Sequence, residues 1–121
     1  MREVKSPGLN FEPYREKLVV FDTMRHFTAG APTNMVSTVG YLRNDSPHNW
    51  KDLQLEVQYF DLGGKLVDTK TETLKYQEIP AGVTEAFRIR GTAASEELTY
   101  VSHKVFVRAA KDARKLWTDA D

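Results

Sequence analysis

The sequence predicts an all-β domain, a two-sheet antiparallel sandwich of six to seven strands. Three observations point there. First, Leu53, Leu55, Val57 and Tyr59 alternate with Gln54, Glu56 and Gln58, the two-residue period of a strand with one buried and one wet face. Second, that run ends in Asp61-Leu62-Gly63-Gly64-Lys65 and a further alternating run follows at once, which reads as a β-hairpin whose tight turn needs the positive φ that glycine reaches freely. Third, the rest of the chain consists of similar short runs separated by Gly, Pro and Asn turns.

The chain has 121 residues, enough for one domain with its own core, and 17 basic residues balance 17 acidic ones. No overall field favours nucleic acid or an anionic membrane. There is no cysteine, which excludes thiol catalysis, thiolate metal sites and disulfides. The N-terminus lacks an apolar run long enough for a signal peptide or membrane span. That leaves a cytoplasmic protein, or a mature domain whose export signal has been replaced by Met1.

In chain order, residues 1–16 are polar, carry Pro7, Gly8 and Pro13, and read as an extended lead-in with Phe11 and Tyr14 docking onto the domain. The sandwich itself spans 17–107. Lys17–Phe27 is the first strand, Ala29–Asn34 a loop, and Met35–Asn44 the second strand. In the second strand Val36, Thr38, Gly40 and Leu42 share one face and Ser37, Val39 and Tyr41 the other, with nothing to say which is inside. Gly40 marks a bulge or a close backbone approach. Asn44–Asn49 is a turn cluster whose side chains bond local backbone. The second hairpin arm runs from Lys65 to Tyr76 with β-branched Val67, Thr69, Thr71 and Thr73. Ile79-Pro80-Ala81-Gly82 fits a type I turn with Pro second and Gly fourth. Val83 to Ile89 forms the next strand, Gly91–Glu97 a loop, and Leu98–Val107 the last strand, with Val101, His103, Val105 and Val107 on one face. Residues 108–121 form a basic tail, in which Ala109, Ala113, Leu116 and Trp117 have the spacing of a short amphipathic helix over Arg108–Trp117.

Gly40-Tyr41-Leu42-Arg43-Asn44, Trp50, the run Leu55–Val67, Ile79-Pro80-Ala81-Gly82 and Phe87 together resemble bacterial FxLYD-type immunoglobulin-like domains. With Gly91-Thr92-Ala93, the chain is also similar to YcfL-type small periplasmic lipoproteins. The likeness covers roughly 18–107. It departs from the first pattern at Phe60, which is followed directly by Asp61, and from the second in lacking a lipobox cysteine. The resemblance implies an immunoglobulin-like sandwich, an extracytoplasmic location (periplasm or cell surface), and a membrane tether through an N-terminal segment absent from this chain. It implies no catalytic residue.

Chemistry is sparse. His26, His48 and His103 lie in separate segments without ligand spacing, so His103 reads as a packed sandwich histidine and His48 as a solvated turn residue. Asn44, Asp45, Asp52 and Asp61 read as turn caps rather than a calcium site, and the sequon Asn44-Asp45-Ser46 as chance. Ser102 and His103 point to opposite faces of a strand and cannot form a nucleophile–base pair. No metal or cofactor is expected. The candidate partner contacts are Trp50, which more often plugs the core at a sandwich end, Trp117, which equally covers a core or anchors a partner, and Arg108, Arg114 and Lys115, which with Lys104 and Lys111 concentrate positive charge near the C-terminus. The sequence therefore points to a non-catalytic binding or assembly module, joined to a protein partner or a second copy through a sheet edge or the end loops, and not to nucleic acid. The alternative is a small-ligand or ion carrier using loops 44–52 and 91–97.

Overall fold

A computed structural model describes residues 8–30 and 32–113 of the protein. Six strands occur among them: β1 (Leu18–Thr28), β2 (Met35–Asn44), β3 (Trp50–Phe60), β4 (Leu66–Ile79), β5 (Thr84–Thr92) and β6 (Ser102–Asp112). They form two antiparallel three-stranded sheets, ordered β1-β2-β5 and β4-β3-β6. The all-β sandwich class follows the sequence pattern.

The alternation of the central run is what fills the core. Leu53, Leu55, Val57 and Tyr59 of β3 are fully buried and face Val36, Leu42, Phe87 and Ile89 of the other sheet. On β2 the even-numbered face is the inner one. Gly40 lies on it because side chains of the two flanking strands close over that position: a Cβ would stand 2.9 Å from Thr23 Cγ2 of β1 and 3.0 Å from the Phe87 ring of β5. Gly40→Ala should therefore destabilise the fold by about 1–3 kcal/mol through overpacking, read from urea denaturation midpoints.

Four local readings need correction. The segment before β1 is not wholly extended, since Glu12–Lys17 winds into a 3₁₀ helix with Pro13 in its first turn. Its Tyr14 N–H donates to Phe11 O at 2.8 Å, and the buried Phe11 ring meets Trp50 edge-on with centroids 5.1 Å apart. The last strand starts at Ser102, after a 3₁₀ turn at Glu97–Thr99, and continues past Val107. Arg108–Asp112 are thus strand rather than helix, because β3 begins at Trp50 and offers them a ladder up to the Trp50–Asp112 pair. Pairing overrides the helical spacing there, Ala113 N–H donates to Asn49 O at 3.1 Å, and residues 114–117 of the proposed helix lie outside the described residues. β4 likewise runs on past Tyr76 to Ile79. Finally, the Pro-Gly turn is framed one residue later than type I: Val83 N–H donates to Pro80 O at 3.1 Å and Gly82, in third position, has φ +80°, as a type II turn requires.

One end of the sandwich is organised by Asn44. Its buried side-chain amide donates to His48 O at 2.7 Å and Ile79 O at 2.9 Å, and its Oδ1 accepts from Ser46 N and Oγ at 2.9 and 2.7 Å. Its backbone bonds Val83 O and Gly82 N, so β2, the 44–50 turn and the β4–β5 turn are tied at one residue. Asn44→Ala should cost about 3 kcal/mol or more, because several buried partners lose their bonds together. Asn44→Asp should be at least as damaging, since it places a carboxylate oxygen against two carbonyls. Comparative denaturation of the two variants checks this.

Candidate functional site

A six-stranded sandwich has four edge strands, and side chains bond or pack across both of its open sides. On the β1/β6 side, Arg25 Nε donates to Tyr100 O at 2.9 Å, its Nη2 donates to Val101 O, and Arg15 Nη1 donates to Val107 O at 2.7 Å. His103 bridges the same seam, with Nδ1 3.0 Å from Arg25 Nη1 and Nε2 2.8 Å from Thr23 Oγ1. An arginine can only donate, so Nδ1 is the acceptor and the ring proton sits on Nε2, aimed at Thr23. On the β4/β5 side the inward positions of β4 carry Asp68, Lys70 and Glu72, opposite Tyr59, Val57 and Leu55 of β3. The Lys70 stem packs where Gly91 has no side chain, and Gln77 reaches Glu85 at 3.4 Å. Inward charge on an edge strand is a known guard against strand addition.

Asp68 is the buried charge among these. It accepts from Tyr100 Oη at 2.6 Å, Ala94 N at 3.0 Å, Thr69 N at 2.8 Å and Lys70 Nζ at 3.0 Å. Burial opposes its charge, but these donors outweigh that and hold its carboxyl below the usual aspartate value. Tyr100, buried and facing that carboxylate, is pushed up to about 12 and stays a neutral donor. Its oxygen also accepts from Ala94 and Ser95 N–H at 3.1 Å, so the 91–97 loop is pinned inward.

The 44–52 loop is similarly satisfied from within. Trp50 is fully buried, packs on Phe11 and Tyr14, and donates to Ser46 Oγ at 2.9 Å, so as a partner contact it is corrected to a core plug. His48 is not a solvated turn residue. It packs edge-on against Tyr14 with centroids 4.9 Å apart and its Nε2 lies 3.2 Å from Tyr14 Oη. Asp45 is held by Arg43, and Asp61 caps its hairpin through Gly63 and Lys65 N–H. Asn44 of the sequon is buried. Arg108 lies on the outer face of β6, bonded to Glu56 at 2.9 and 3.2 Å and stacked 4.3 Å from the Phe106 centroid. Arg114, Lys115 and Trp117 lie outside the described residues. Among the described residues no three His, Asp or Glu side chains converge as metal ligands.

What sequence reading missed is the outer face of the β1-β2-β5 sheet. Met24, Val39 and Tyr41 are 67%, 41% and 45% exposed and adjoin in the register, Met24 opposite Val39 and Phe21 opposite Tyr41, with Ala86 beyond. The Phe21 and Tyr41 rings stack at 5.8 Å, and the Arg43 guanidinium covers Phe21 at 5.4 Å. A hollow of about 330 Å³ opens among Asp22, Met24, Val39, Tyr41 and Ala86. Asp22 sits at a break in the β1–β2 register with φ +52°. Along the β5 border Arg88 and Arg90 are exposed and make no hydrogen bond or ion pair with a described residue. The signal was present as the Ser37, Val39, Tyr41 face, but the period alone could not orient it.

Among the described residues the other two non-glycine positions with positive φ are Asp52 (+51°) and Tyr76 (+61°) on the opposite sheet, meeting where the β3–β4 register slips. Asp52 Oδ1 accepts from Tyr76 N at 3.3 Å and Lys111 Nζ lies 4.0 Å from Oδ2. Such backbone costs about 1–3 kcal/mol per residue. Compared with family models, curated proteins and solved structures, the chain matches none of them.

The seam gives a pH prediction. Burial, and then the Arg25 charge, hold His103 below the ordinary histidine pKa. The fold thus favours the neutral ring, so its contribution is complete above the ordinary histidine range and lost as pH falls below it. Melting temperature should drop as pH goes from about 7 to about 5, and His103→Gln should flatten that fall. Asp68 acts only at lower pH, below the ordinary aspartate range, so the two losses separate in a pH series.

Proposed function

We propose that the protein is a non-catalytic binding module, and that its working surface is the outer face of the β1-β2-β5 sheet. The observation that carries this is the contiguous exposed cluster of Met24, Val39, Tyr41 and Ala86 beside the half-buried Phe21. An apolar cluster with a polar border is what an interaction surface shows, whereas scattered apolar residues need no explanation. The blocked edges favour this face over strand addition, the mode first expected. Arg88 and Arg90 give the cluster a positive border on one side. The partner it fits is a protein segment with apolar side chains at its centre and carboxylates at its edge. The FxLYD-like pattern of the sequence supports placing the module outside the cytoplasm.

Selection of displayed peptides against the protein tests this. Enriched peptides should combine aliphatic or aromatic residues with Asp or Glu. Tyr41→Lys should abolish their binding, and Arg88→Glu with Arg90→Glu should weaken it by at least about tenfold at low salt, with a smaller difference at high salt. All three side chains are partly or well exposed, so these variants should fold. Peptides that still bind both variants, or a dimer that buries this face and dissociates in Tyr41→Lys, would overturn the reading.

A further inference from the structure

We propose that the hollow on the outer face of the β4-β3-β6 sheet binds an anionic sugar, held between the Tyr76 ring and the Lys75 and Lys111 ammonium groups. The site lies on the sheet opposite the surface just described and stands on different residues. Its volume is about 340 Å³, within the ~300–1,000 Å³ usual for small-ligand sites. The floor is a row across three strands: Gln54 of β3 pairs with Thr73 of β4 on one side and with Ala109 of β6 on the other. Amide, hydroxyl and methyl stand side by side there. Amide and hydroxyl groups both donate and accept, which suits ring hydroxyls, and Ala109 leaves room above itself.

Tyr76 is the second observation. Its side chain is 100% exposed and takes no part in the core, yet it occupies a left-handed backbone position where glycine would be less strained. Neither packing nor a hydrogen bond of its ring to a described residue accounts for a tyrosine at this point. A free aromatic face beside a polar floor provides a stacking surface for the C–H face of a sugar ring. Charge sets the class of sugar. Lys75 makes no bond to a described residue, and Lys111 is only 4.0 Å from Asp52, so two ammonium groups stand against one carboxylate. One positive charge in excess matches a single ligand carboxylate, while Asp52 is placed to accept from a hydroxyl.

Amide NMR titration of the protein with sodium glucuronate, glucose and sodium acetate tests this, at concentrations up to ~20 mM as a weak single-ring site requires. Glucuronate should shift the amides of Gln54, Thr73, Tyr76 and Lys111, and glucose and acetate should do so much more weakly. Tyr76→Ala should weaken glucuronate about tenfold, the weight of one aromatic contact. Gln54→Ala should also weaken it, and both variants should keep the wild-type melting temperature because the side chains are exposed. The proposal is overturned if these amides do not move, if acetate or glucose matches glucuronate, or if binding persists unchanged in both variants. A failure here leaves the peptide selection on the other sheet unaffected.

Discussion

The buried amide of Asn44 holds the most consequential bonds in the molecule. The two three-stranded sheets share no backbone ladder, so apolar packing and a few side-chain hydrogen bonds must align them. Asn44 ends β2, yet its side chain reaches Ile79 O at the end of β4 in the other sheet and His48 O in the turn that leads into β3. Ser46, held by Asn44, then receives the Trp50 indole N–H. The position of the largest core side chain therefore follows from one amide. Every donor and acceptor in the cluster has a partner, which is the condition under which a buried polar group specifies a structure rather than weakening it.

The same economy governs the sandwich's open sides. Backbone ladders stop at β1, β4, β5 and β6, and side chains take over: Arg15, Arg25 and His103 on one side, Asp68, Lys70 and Gln77 on the other. The outward carbonyls of Tyr100, Val101 and Val107 are used by arginines. With both open sides bridged by side chains, the two outer sheet faces offer the broadest surface for recognition. These differ in character. One is apolar with an arginine border, and the other is polar with a single exposed ring.

Most of the fold was legible because alternation is a local property. The Leu53–Tyr59 run and the Asp61–Lys65 turn appear in the sequence as they appear in space, and Gly40 was marked as a place of close approach. The misreadings arose where a distant partner decides the outcome. Arg108–Asp112 carry a helical spacing, but the early start of β3 at Trp50 draws them into a ladder. Asp68 drew no reading from the sequence, because Tyr100 and Ala94, which surround it, lie some thirty positions later. The outer-face cluster depended on which side of β2 was inside, and period two is symmetric in that respect. The left-handed Tyr76 has no signature in residue type at all.

The bond from Leu9 N to Asp112 Oδ2, at 2.8 Å, brings the two ends of the described chain together beside the Trp50 plug. The first and last described residues thus lie at one pole of the sandwich, the pole that Asn44 organises. The opposite pole carries the β1–β2 loop, the Asp61–Lys65 hairpin and the 91–97 loop. A sandwich whose first and last strands meet a lead-in at one pole can be strung in series, inserted into another protein's loop, or set on a stalk without threading its own sheets. Both outer faces would then stand parallel to the stalk axis, free to be approached from the side at the same time.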